Sequence, residues 1–479
     1  MADKPDADKP DAEEPDGAIP DELGPQILSS WPINGGENTV GGPIQVKFTE
    51  PVKLGATATQ LLVDGTPVAA TTKLSEDGTV LDIVPIADIL PPAKVSVRFG
   101  DISDLHGNPR IDEPFTWTVP RWFHAGSLPR PEDTTFRVAS GPGDAIFLSR
   151  FTATGPDGVE LTVFKVGRND FGFEALPVTV RFNLVTGFPT SQFPEVRIDN
   201  SGAPVVAIYD HEDKIHVLRW SGAQWKDLAP PMMAGERNSR ALIAIAPGDS
   251  GKITLAYEVR GTGPSPKSGI RVQEYDGGRW LALGPLLEQS TMAMPLKALV
   301  FDEQGIPTMA WEKLFDGATT MTWNGTGWIA SSPVVSSDLV TKDMSIAWGD
   351  GHSLFSVVGL SQGIETGPYR NRVLRLDAPL GTWNEVGAAL PDVPLGRPVT
   401  LLPAGAGHLF ASFATQATDA IPAKFWALDI TKTGWSEMTG LEIPPGWTES
   451  AGAAVDGRGV PIVAVTTKDE VRVLRLNRK

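Results

Sequence analysis

The chain has 479 residues, contains no cysteine and carries a formal net charge of −17. The lack of cysteine excludes disulfide frameworks, thiolate zinc sites and cysteine nucleophiles. The acidic balance argues against a general nucleic-acid binder, which needs a basic face for phosphate contacts. With 50 glycines, 42 prolines and almost no long amphipathic period, the composition predicts many short strands and turns.

Residues 1–24 form an acidic segment in which proline alternates with aspartate and glutamate. The segment holds nine acidic residues and two lysines, offers little apolar surface to bury, and is therefore predicted to be a disordered tether. It resembles the stretch that follows the lipid-modified cysteine of bacterial lipoproteins. That resemblance implies an exported lipoprotein without its signal peptide, whose lipid anchor is not part of this sequence.

Residues 25–119 contain short alternating apolar and polar segments separated by turns, the pattern of an all-β sandwich. Five motifs follow one another: Trp31-Pro32, Val46 to Val52, Asp77-Gly78-Thr79, Leu90-Pro91-Pro92, and Asp104 to Asn108. This series resembles the bacterial Ig-like domain of surface-layer and other cell-surface proteins. The resemblance implies a spacer or presentation module, and we expect Asp104 and Asn108 to cap a turn rather than to bind a metal.

Residues 120–479 contain a repeat with a period near 52 residues, which is marked by one recurring aromatic side chain. The spacing between successive members is 48 to 55 residues, and the seven members are Trp122, Phe173, Trp225, Trp280, Trp328, Trp383 and Trp435. Each unit reads as strand A, an Asp/Gly turn, strand B, a variable loop, strand C, a tight turn and the aromatic strand D. Four strands per unit of this length predict a β-propeller.

The two ends of this segment predict how the propeller closes. The last unit ends after its strand C, whereas Arg121 to Gly126 has a strand D pattern with no strands of its own before it. Placing this strand in the last unit gives seven complete blades without an open edge. The fold class is therefore all-β, an Ig-like sandwich followed by a seven-bladed propeller that resembles bacterial surface, lipoprotein and lectin-like propellers. We expect the recurring aromatics to pack between neighbouring blades.

Catalytic residues and metal ligands cannot be assigned from the sequence. The turn motif that a sialidase needs is not found, and the acidic residues lie scattered on predicted turns. The histidines lie apart and without the spacing of metal ligands: His106, His124, His211, His216, His352 and His408. We therefore predict neither an enzyme nor a cofactor or metal.

A partner-binding surface is predicted on the propeller face that carries the B–C and D–A connections, which are the longer and more irregular ones. Methionines in the D–A connections and arginines nearby form the candidate set, which is Met232, Met233, Met292, Met294, Arg237, Arg240, Arg260, Arg370 and Arg372. They are interpreted as an adaptable apolar patch with cationic margins. In the alternative interpretation the methionines fill gaps over the core and the arginines are solvated loop charges.

These observations predict a non-enzymatic, extracytoplasmic scaffold, tethered at the cell envelope, that binds a protein partner through the long-loop face. The first alternative is a carbohydrate-binding, lectin-like propeller, because the repeats resemble the Trp-rich repeats of bacterial sugar-binding propellers. The second is a glycoside hydrolase. We expect no nucleic-acid partner, and a membrane contact only through the lipid anchor.

Overall fold

The protein is described by a computed structural model. The described residues are 23–36, 43–87, 89–110, 115–132, 134–142, 145–154, 158–166, 173–177, 179–183, 196–209, 214–230, 232–233, 241–247, 252–259, 268–289, 296–313, 317–331, 333–334, 340–349, 353–361, 369–377, 381–391, 395–415, 424–439, 441, 443 and 447–477. No helix within these ranges is long and apolar enough to cross a membrane. Contacts divide the chain into two compact units, Met1–Pro120 and Arg121–Arg478. The predicted tether lies outside the described residues up to position 22.

The N-terminal unit is a β-sandwich. Its strands are β1 (Ile27–Trp31), β2 (Ile44–Phe48), β3 (Val52–Leu54), β4 (Gln60–Val63), β5 (Thr66–Val68), β6 (Ala70–Leu74), β7 (Val80–Pro85), β8 (Ala93–Arg98), β9 (Ile102–Asp104) and β10 (Phe115–Val119). One sheet has the order β1-β2-β7-β6 and the facing sheet β10-β8-β4-β5, while β3 and β9 form a short ribbon.

The core of this unit follows from the period-two pattern of its strands. In β2, Ile44, Val46 and Phe48 are buried and the residues between them are exposed, because successive side chains of a strand point to opposite faces. Phe115 and Trp117 of β10 join the same apolar cluster. At the predicted turn, Asp104 Oδ1 accepts hydrogen bonds from the His106 and Asn108 backbone N–H groups, both at 2.8 Å.

The second unit is a propeller, whose first three blades have five strands each. They are β12 (Thr134–Ser140), β13 (Ile146–Ala153), β14 (Gly158–Val166), β15 (Phe173–Ala175) and β16 (Val180–Asn183) in blade 1; β17 (Val196–Ile198), β18 (Pro204–Tyr209), β19 (Lys214–Trp220), β20 (Trp225–Asp227) and β21 (Met232–Met233) in blade 2; and β22 (Ala241–Ile245), β23 (Ile253–Val259), β24 (Ser268–Tyr275), β25 (Trp280–Ala282) and β26 (Leu287–Gln289) in blade 3.

The other four blades have four strands each in the described part of the chain. They are β27 (Leu296–Phe301), β28 (Pro307–Lys313), β29 (Gly317–Trp323) and β30 (Trp328–Ala330) in blade 4; β31 (Val340–Trp348), β32 (Leu354–Ser361), β33 (Tyr369–Leu376) and β34 (Trp383–Glu385) in blade 5; β35 (Leu395–Gly405), β36 (His408–Thr415), β37 (Lys424–Ile430) and β38 (Trp435–Glu437) in blade 6; and β39 (Trp447–Val455), β40 (Pro461–Thr467), β41 (Glu470–Leu476) and β11 (Trp122–Pro129) in blade 7.

The blades form a closed ring. Each strand A contacts strand A of the next blade, and strand A of blade 7 contacts that of blade 1. Blade 7 takes its outer strand from the front of the segment, since β11 pairs with β41 from Trp122↔Leu476 to Pro129↔Glu470. The seven-bladed propeller and its mode of closure, both predicted from the sequence, are confirmed by this topology.

The recurring aromatics pack between neighbouring blades, as predicted. Each one joins an apolar cluster that also contains residues of the preceding blade. Trp328 and Trp435 are among those that also donate a hydrogen bond across the blade boundary. Trp328 Nε1 donates to Leu283 O and Trp435 Nε1 to Ala388 O, both at 2.8 Å.

The outer strand D of blades 1, 2 and 3 is interrupted, which differs from the single strand expected. Its first piece pairs with the end of strand C, and a second piece, β16, β21 or β26, pairs with the beginning of that same strand. Met232 and Met233 therefore lie in a short outer strand rather than in a loop. Two consecutive prolines, Pro230 and Pro231, precede them in the sequence, and proline has no N–H to donate to a ladder.

Candidate functional site at the long-connection end

The B–C and D–A connections of every blade lie at one end of the propeller, because neighbouring strands within each sheet are antiparallel. We call this the long-connection end. Most of the residues proposed as a partner patch belong to connections outside the described residues. These are Arg237, Arg240, Arg260, Met292 and Met294, and their assignment to a binding surface stays a prediction.

The members of the predicted patch that the structure describes lie on separate blades. Met232 and Met233 belong to blade 2, whereas Arg370 and Arg372 lie at the start of β33 in blade 5. Arg370 is exposed. Arg372 is half-buried, with its Nε 3.1 Å from Glu385 Oε1. Arg372 is thus part of an ion pair on its own blade.

A pocket of about 270 Å³ lies at the long-connection end of blade 6, next to the beginning of blade 7. It is lined by Lys424, Phe425, Ala427, Glu437, Met438, Thr439, Leu441, Ile443 and Trp447. All of these residues except Trp447 belong to blade 6, where they lie on strand C, at the end of strand D or in the D–A connection. Trp447 is the first residue of strand A in blade 7. Every wall therefore comes from the end of the propeller where binding was predicted.

An ion pair forms the rim of this pocket. Lys424 Nζ lies 2.7 Å from Glu437 Oε1 and 2.8 Å from Oε2, and it also lies 3.8 Å from the centroid of the Trp426 ring. A lysine held over an aromatic face and against a carboxylate has its position fixed by both contacts. The charges of Lys424 and Glu437 compensate each other, and the Arg121 guanidinium adds a positive charge beside Thr439.

The interior of the pocket is apolar and aromatic. Phe425, Ala427 and Met438 are buried, whereas Leu441, Ile443 and Trp447 are half-buried. The Phe425 and Trp447 rings meet edge to face, with centroids 6.3 Å apart and planes at 88°. Thr439 Oγ1 accepts a hydrogen bond of 2.9 Å from Arg121 NH1.

The sequence interpretation missed this pocket, although three signals for it are present. Glu437 follows the strand D aromatic of blade 6 by two residues, as Asp227 and Glu385 do in blades 2 and 5. Two aromatics, Phe425 and Trp426, are adjacent at the start of strand C. Trp447 lies outside the 52-residue repeat. Bringing these residues together requires the fold of two neighbouring blades, which a linear pattern does not provide.

Among the described residues, the titratable groups with a shifted pKa lie away from the pocket. Hydrogen bonds from the Ser75 hydroxyl, and then from Thr79, lower the pKa of Asp77 to about 2. Burial has the largest single influence on Asp199 and raises its pKa, but hydrogen bonds from Ser201, Ala203 and Arg219 together outweigh burial and leave the pKa lowered. Asp104 and Asp276 likewise have a lowered pKa inside turns. These carboxylates act as hydrogen-bond acceptors that hold turns.

Tyr257 is the fifth group with a shifted pKa in the described part of the chain. Burial raises the pKa of its hydroxyl, which donates a hydrogen bond of 3.1 Å to Gln273 Oε1. Within the described ranges, no cluster of three or more His, Asp or Glu side chains could hold a metal ion. The pocket of blade 6 is therefore the candidate site, and its lining is suited to binding.

Comparison with known families and curated sequences identifies the N-terminal unit alone. Residues 21–119 match the family model of the bacterial Ig-like domain. No curated protein matches the chain. The chain thus combines a bacterial Ig-like domain with a seven-bladed propeller.

Solved structures with a similar fold include carbohydrate-binding and carbohydrate-cleaving proteins. The lectin of Aleuria aurantia in complex with Fucα1-6GlcNAc is 13% identical, with 66% of this chain and 99% of the lectin covered and a TM-score of 0.40. An ulvan lyase, a polysaccharide lyase, bound to a -[GlcA(1-4)Rha3S]- unit, is 10% identical, with 85% and 97% covered and a TM-score of 0.44. A methionine-rich copper resistance protein of Escherichia coli is 24% identical, with 20% and 99% covered and a TM-score of 0.18. At identities this low, the similarity to these proteins concerns the fold alone.

Proposed function

We propose that this chain is a non-enzymatic binding protein that holds a protein partner at the long-connection end of its propeller. The observation that carries the proposal is the pocket of blade 6, which has an apolar floor, aromatic walls and an ion pair at its rim. Binding sites commonly combine a concave apolar surface with a few placed polar groups. Such a pocket suits an apolar side chain that anchors a larger interface.

The proposal gives each part of the chain a role. Residues 1–24 act as the acidic tether, residues 25–119 as the spacer and residues 120–479 as the binding domain. Support for an extracytoplasmic location comes from the bacterial Ig-like domain match and from the lipoprotein-like composition of the tail. We propose accordingly that the protein is displayed at the cell envelope by a lipid anchor.

Site-specific photo-cross-linking in the native cell envelope tests the binding end. A photoreactive amino acid replaces Thr439 beside the pocket, and the matched control replaces Lys432, which is exposed in the C–D turn at the opposite end of the same blade. We expect a discrete cross-linked protein from position 439 and none from position 432. Cross-links from 432 alone, or from neither position, would contradict the proposal.

A carbohydrate ligand is the second candidate, because Trp447 and Phe425 offer aromatic surfaces beside the paired charges of Lys424 and Glu437. An aromatic face can stack on the apolar face of a pyranose, while a lysine and a carboxylate can bind neighbouring hydroxyl groups. A glycan array separates the two candidates. Glycan binding that is lost in Trp447→Ala, without any protein cross-link from position 439, would establish this alternative.

A further inference from the structure

One cation beside the pocket of blade 6 does not belong to the ion pair at its rim. Arg121 directly precedes β11 and donates a hydrogen bond of 2.9 Å from NH1 to Thr439 Oγ1, and Thr439 is a wall of the pocket. Within the described part of the chain, no carboxylate forms an ion pair with Arg121. A guanidinium is always charged and carries several N–H donors, so donors remain that Thr439 does not use.

The other cation of the pocket is already compensated. Lys424 Nζ lies 2.7 Å from Glu437 Oε1 and 2.8 Å from Oε2. A carboxylate of a ligand at this wall would therefore compete with Glu437 for the same ammonium group. The two cations and one carboxylate described at the pocket leave one positive charge, which lies on the Thr439 side.

The hydrogen bond from Arg121 also determines how the Thr439 hydroxyl can act. A guanidinium has no acceptor, so the hydroxyl oxygen accepts in this contact and its own hydrogen can be donated elsewhere. Thr439 is exposed, and its hydroxyl donates to no acceptor within the described ranges. An N–H group and an O–H group therefore lie next to each other at one wall, and a carboxylate can accept hydrogen bonds from both.

The interior of the pocket has room for one apolar side chain. Its volume of about 270 Å³ is below the roughly 300 to 1,000 Å³ of pockets that hold drug-sized ligands. The apolar residues that line it are Phe425, Ala427, Met438, Leu441, Ile443 and Trp447. Because Thr439 lines the same small pocket, the apolar interior and the hydroxyl donor are within reach of a single bound residue.

We propose that the pocket binds the C-terminal residue of a partner protein, with its apolar side chain in the interior and its terminal carboxylate at Arg121 and Thr439. The inference rests on the proposed function and specifies which part of the partner is bound. The terminal carboxylate is attached to the same Cα as the side chain, whereas neighbouring side chains of an extended peptide point to opposite sides. A terminal residue therefore presents both groups to one pocket, a known mode of peptide recognition.

Peptides with a free or a blocked C-terminus test this mode of binding on the full chain. N-acetylated hexapeptides are prepared as mixtures with one fixed C-terminal residue each, both as the free acid and as the amide. Affinity selection and mass spectrometry identify the bound peptides, which are then titrated singly. We expect free acids that end in leucine, isoleucine, methionine or phenylalanine to be enriched. Their amides should bind at least about tenfold more weakly, because they lack the charge that Arg121 pairs with.

Variants of the arginine identify the group that binds the carboxylate. Arg121→Gln should weaken the free acids at least about tenfold and the amides less than twofold, and Arg121→Lys should recover part of the affinity because it keeps the charge. The matched control is Arg279→Gln, which removes an exposed arginine from the C–D turn of blade 3 and should leave binding within twofold. Circular dichroism and melting curves establish that the variants are folded, and the comparison of acid with amide needs no variant.

Two further measurements separate the hydroxyl from the charge. Thr439→Val keeps the shape of the side chain and removes its O–H group, and should weaken the free acids about twofold to tenfold. Added sodium chloride should weaken the free acids and leave the amides nearly unchanged, since salt screens a charge pair at a partly exposed site.

The outcomes separate this inference from the proposed function. If no free acid is enriched, if acid and amide bind equally, or if Arg121→Gln binds the free acids normally, binding of a C-terminus is wrong. Enrichment that follows an internal aspartate or glutamate, with acid and amide equal, would also overturn it. A protein cross-link from position 439 would then still support binding at the long-connection end. Failure of the cross-link together with failure of the peptides would overturn both.

Discussion

Trp435 shows that the aromatic repeat provides hydrogen bonds as well as packing contacts. Its indole N–H donates to Ala388 O of the preceding blade at 2.8 Å. Trp383 occupies the same place one blade earlier, but its buried Nε1 has no hydrogen-bond partner among the described residues. Two members of one repeat therefore differ in a single polar contact.

We predict different costs for removing the indole N–H at these two positions. Trp435→Phe should lower the free energy of unfolding by about 1 kcal/mol more than Trp383→Phe, because a satisfied hydrogen bond contributes about 0.5 to 1.5 kcal/mol. Both variants lose similar ring area, so each serves as the control for the other. Urea denaturation followed by tryptophan fluorescence measures the difference, and equal losses would contradict the assignment of the hydrogen bond.

Asp199 holds the A–B turn of blade 2 and ties it to strand C. Its Oδ1 accepts from the backbone N–H groups of Ser201 and Ala203, both at 2.9 Å, and its Oδ2 lies 2.5 Å from Arg219 Nε. Hydrogen bonds to the ionised form leave the pKa of this carboxyl group lowered, even though burial alone would raise it. Asp456 and Arg475 form the same pair in blade 7.

We predict that Asp199→Asn costs about 2 kcal/mol at pH 7, the range of hydrogen bonds to charged groups. Because the folded pKa lies below the unfolded value of about 3.9, the carboxylate contributes stability above that pH and loses it as pH falls through the folded pKa. The difference between wild type and Asp199→Asn should therefore shrink between pH 5 and the acid range. Chemical denaturation at pH 7 and below pH 4 measures it. The control is Glu303→Gln, which changes an exposed carboxylate in the A–B turn of blade 4 and should change stability little at either pH. A wild-type advantage over Asp199→Asn that grows in acid would contradict the prediction.

At the scale of the strand, the sequence predicts those structural features that depend on the spacing of nearby residues. The aromatic of strand D and the tight turn before it recur regularly enough to place all seven blades. Trp122 lies at the start of the propeller segment without strands A to C before it, and this position predicts that the strand completes the last blade. The second piece of strand D was missed because Pro230 and Pro231 separate it from the first. A run of two residues, such as Met232 and Met233, is too short to show the alternating pattern of a strand.

The pocket depends on contacts between blades 6 and 7 rather than on the repeated pattern within one blade. Phe425 occupies the same place on strand C as Leu161 and Ile215, and all three are apolar. The pocket beside Phe425 also needs the D–A connection of blade 6 and Trp447 of blade 7, which the residue type on strand C does not specify. The methionine and arginine patch, in contrast, remains a prediction, because most of its members lie outside the described residues.

At the scale of the whole propeller, one strand completes the ring. β11 covers β41 along its length, and Trp122 and Ala125 are each 5% exposed. Trp122 packs against blade 6 residues such as Phe410, whereas Ala125 packs in the cluster that joins blade 7 to blade 1. The same strand therefore holds blade 7 to both of its neighbours.

We predict that a chain of residues 130–479 is markedly less stable than a chain of residues 121–479, which keeps β11 and serves as the matched control. Loss of a buried tryptophan alone costs about 3 to 5 kcal/mol, and the uncovered edge of β41 is free to pair with another molecule. We expect a lower melting temperature and self-association of the shorter chain, measured by calorimetry and by light scattering after size exclusion. A monomeric 130–479 with an unchanged melting temperature would mean that the six remaining blades and the three strands of blade 7 hold the ring without its closing strand.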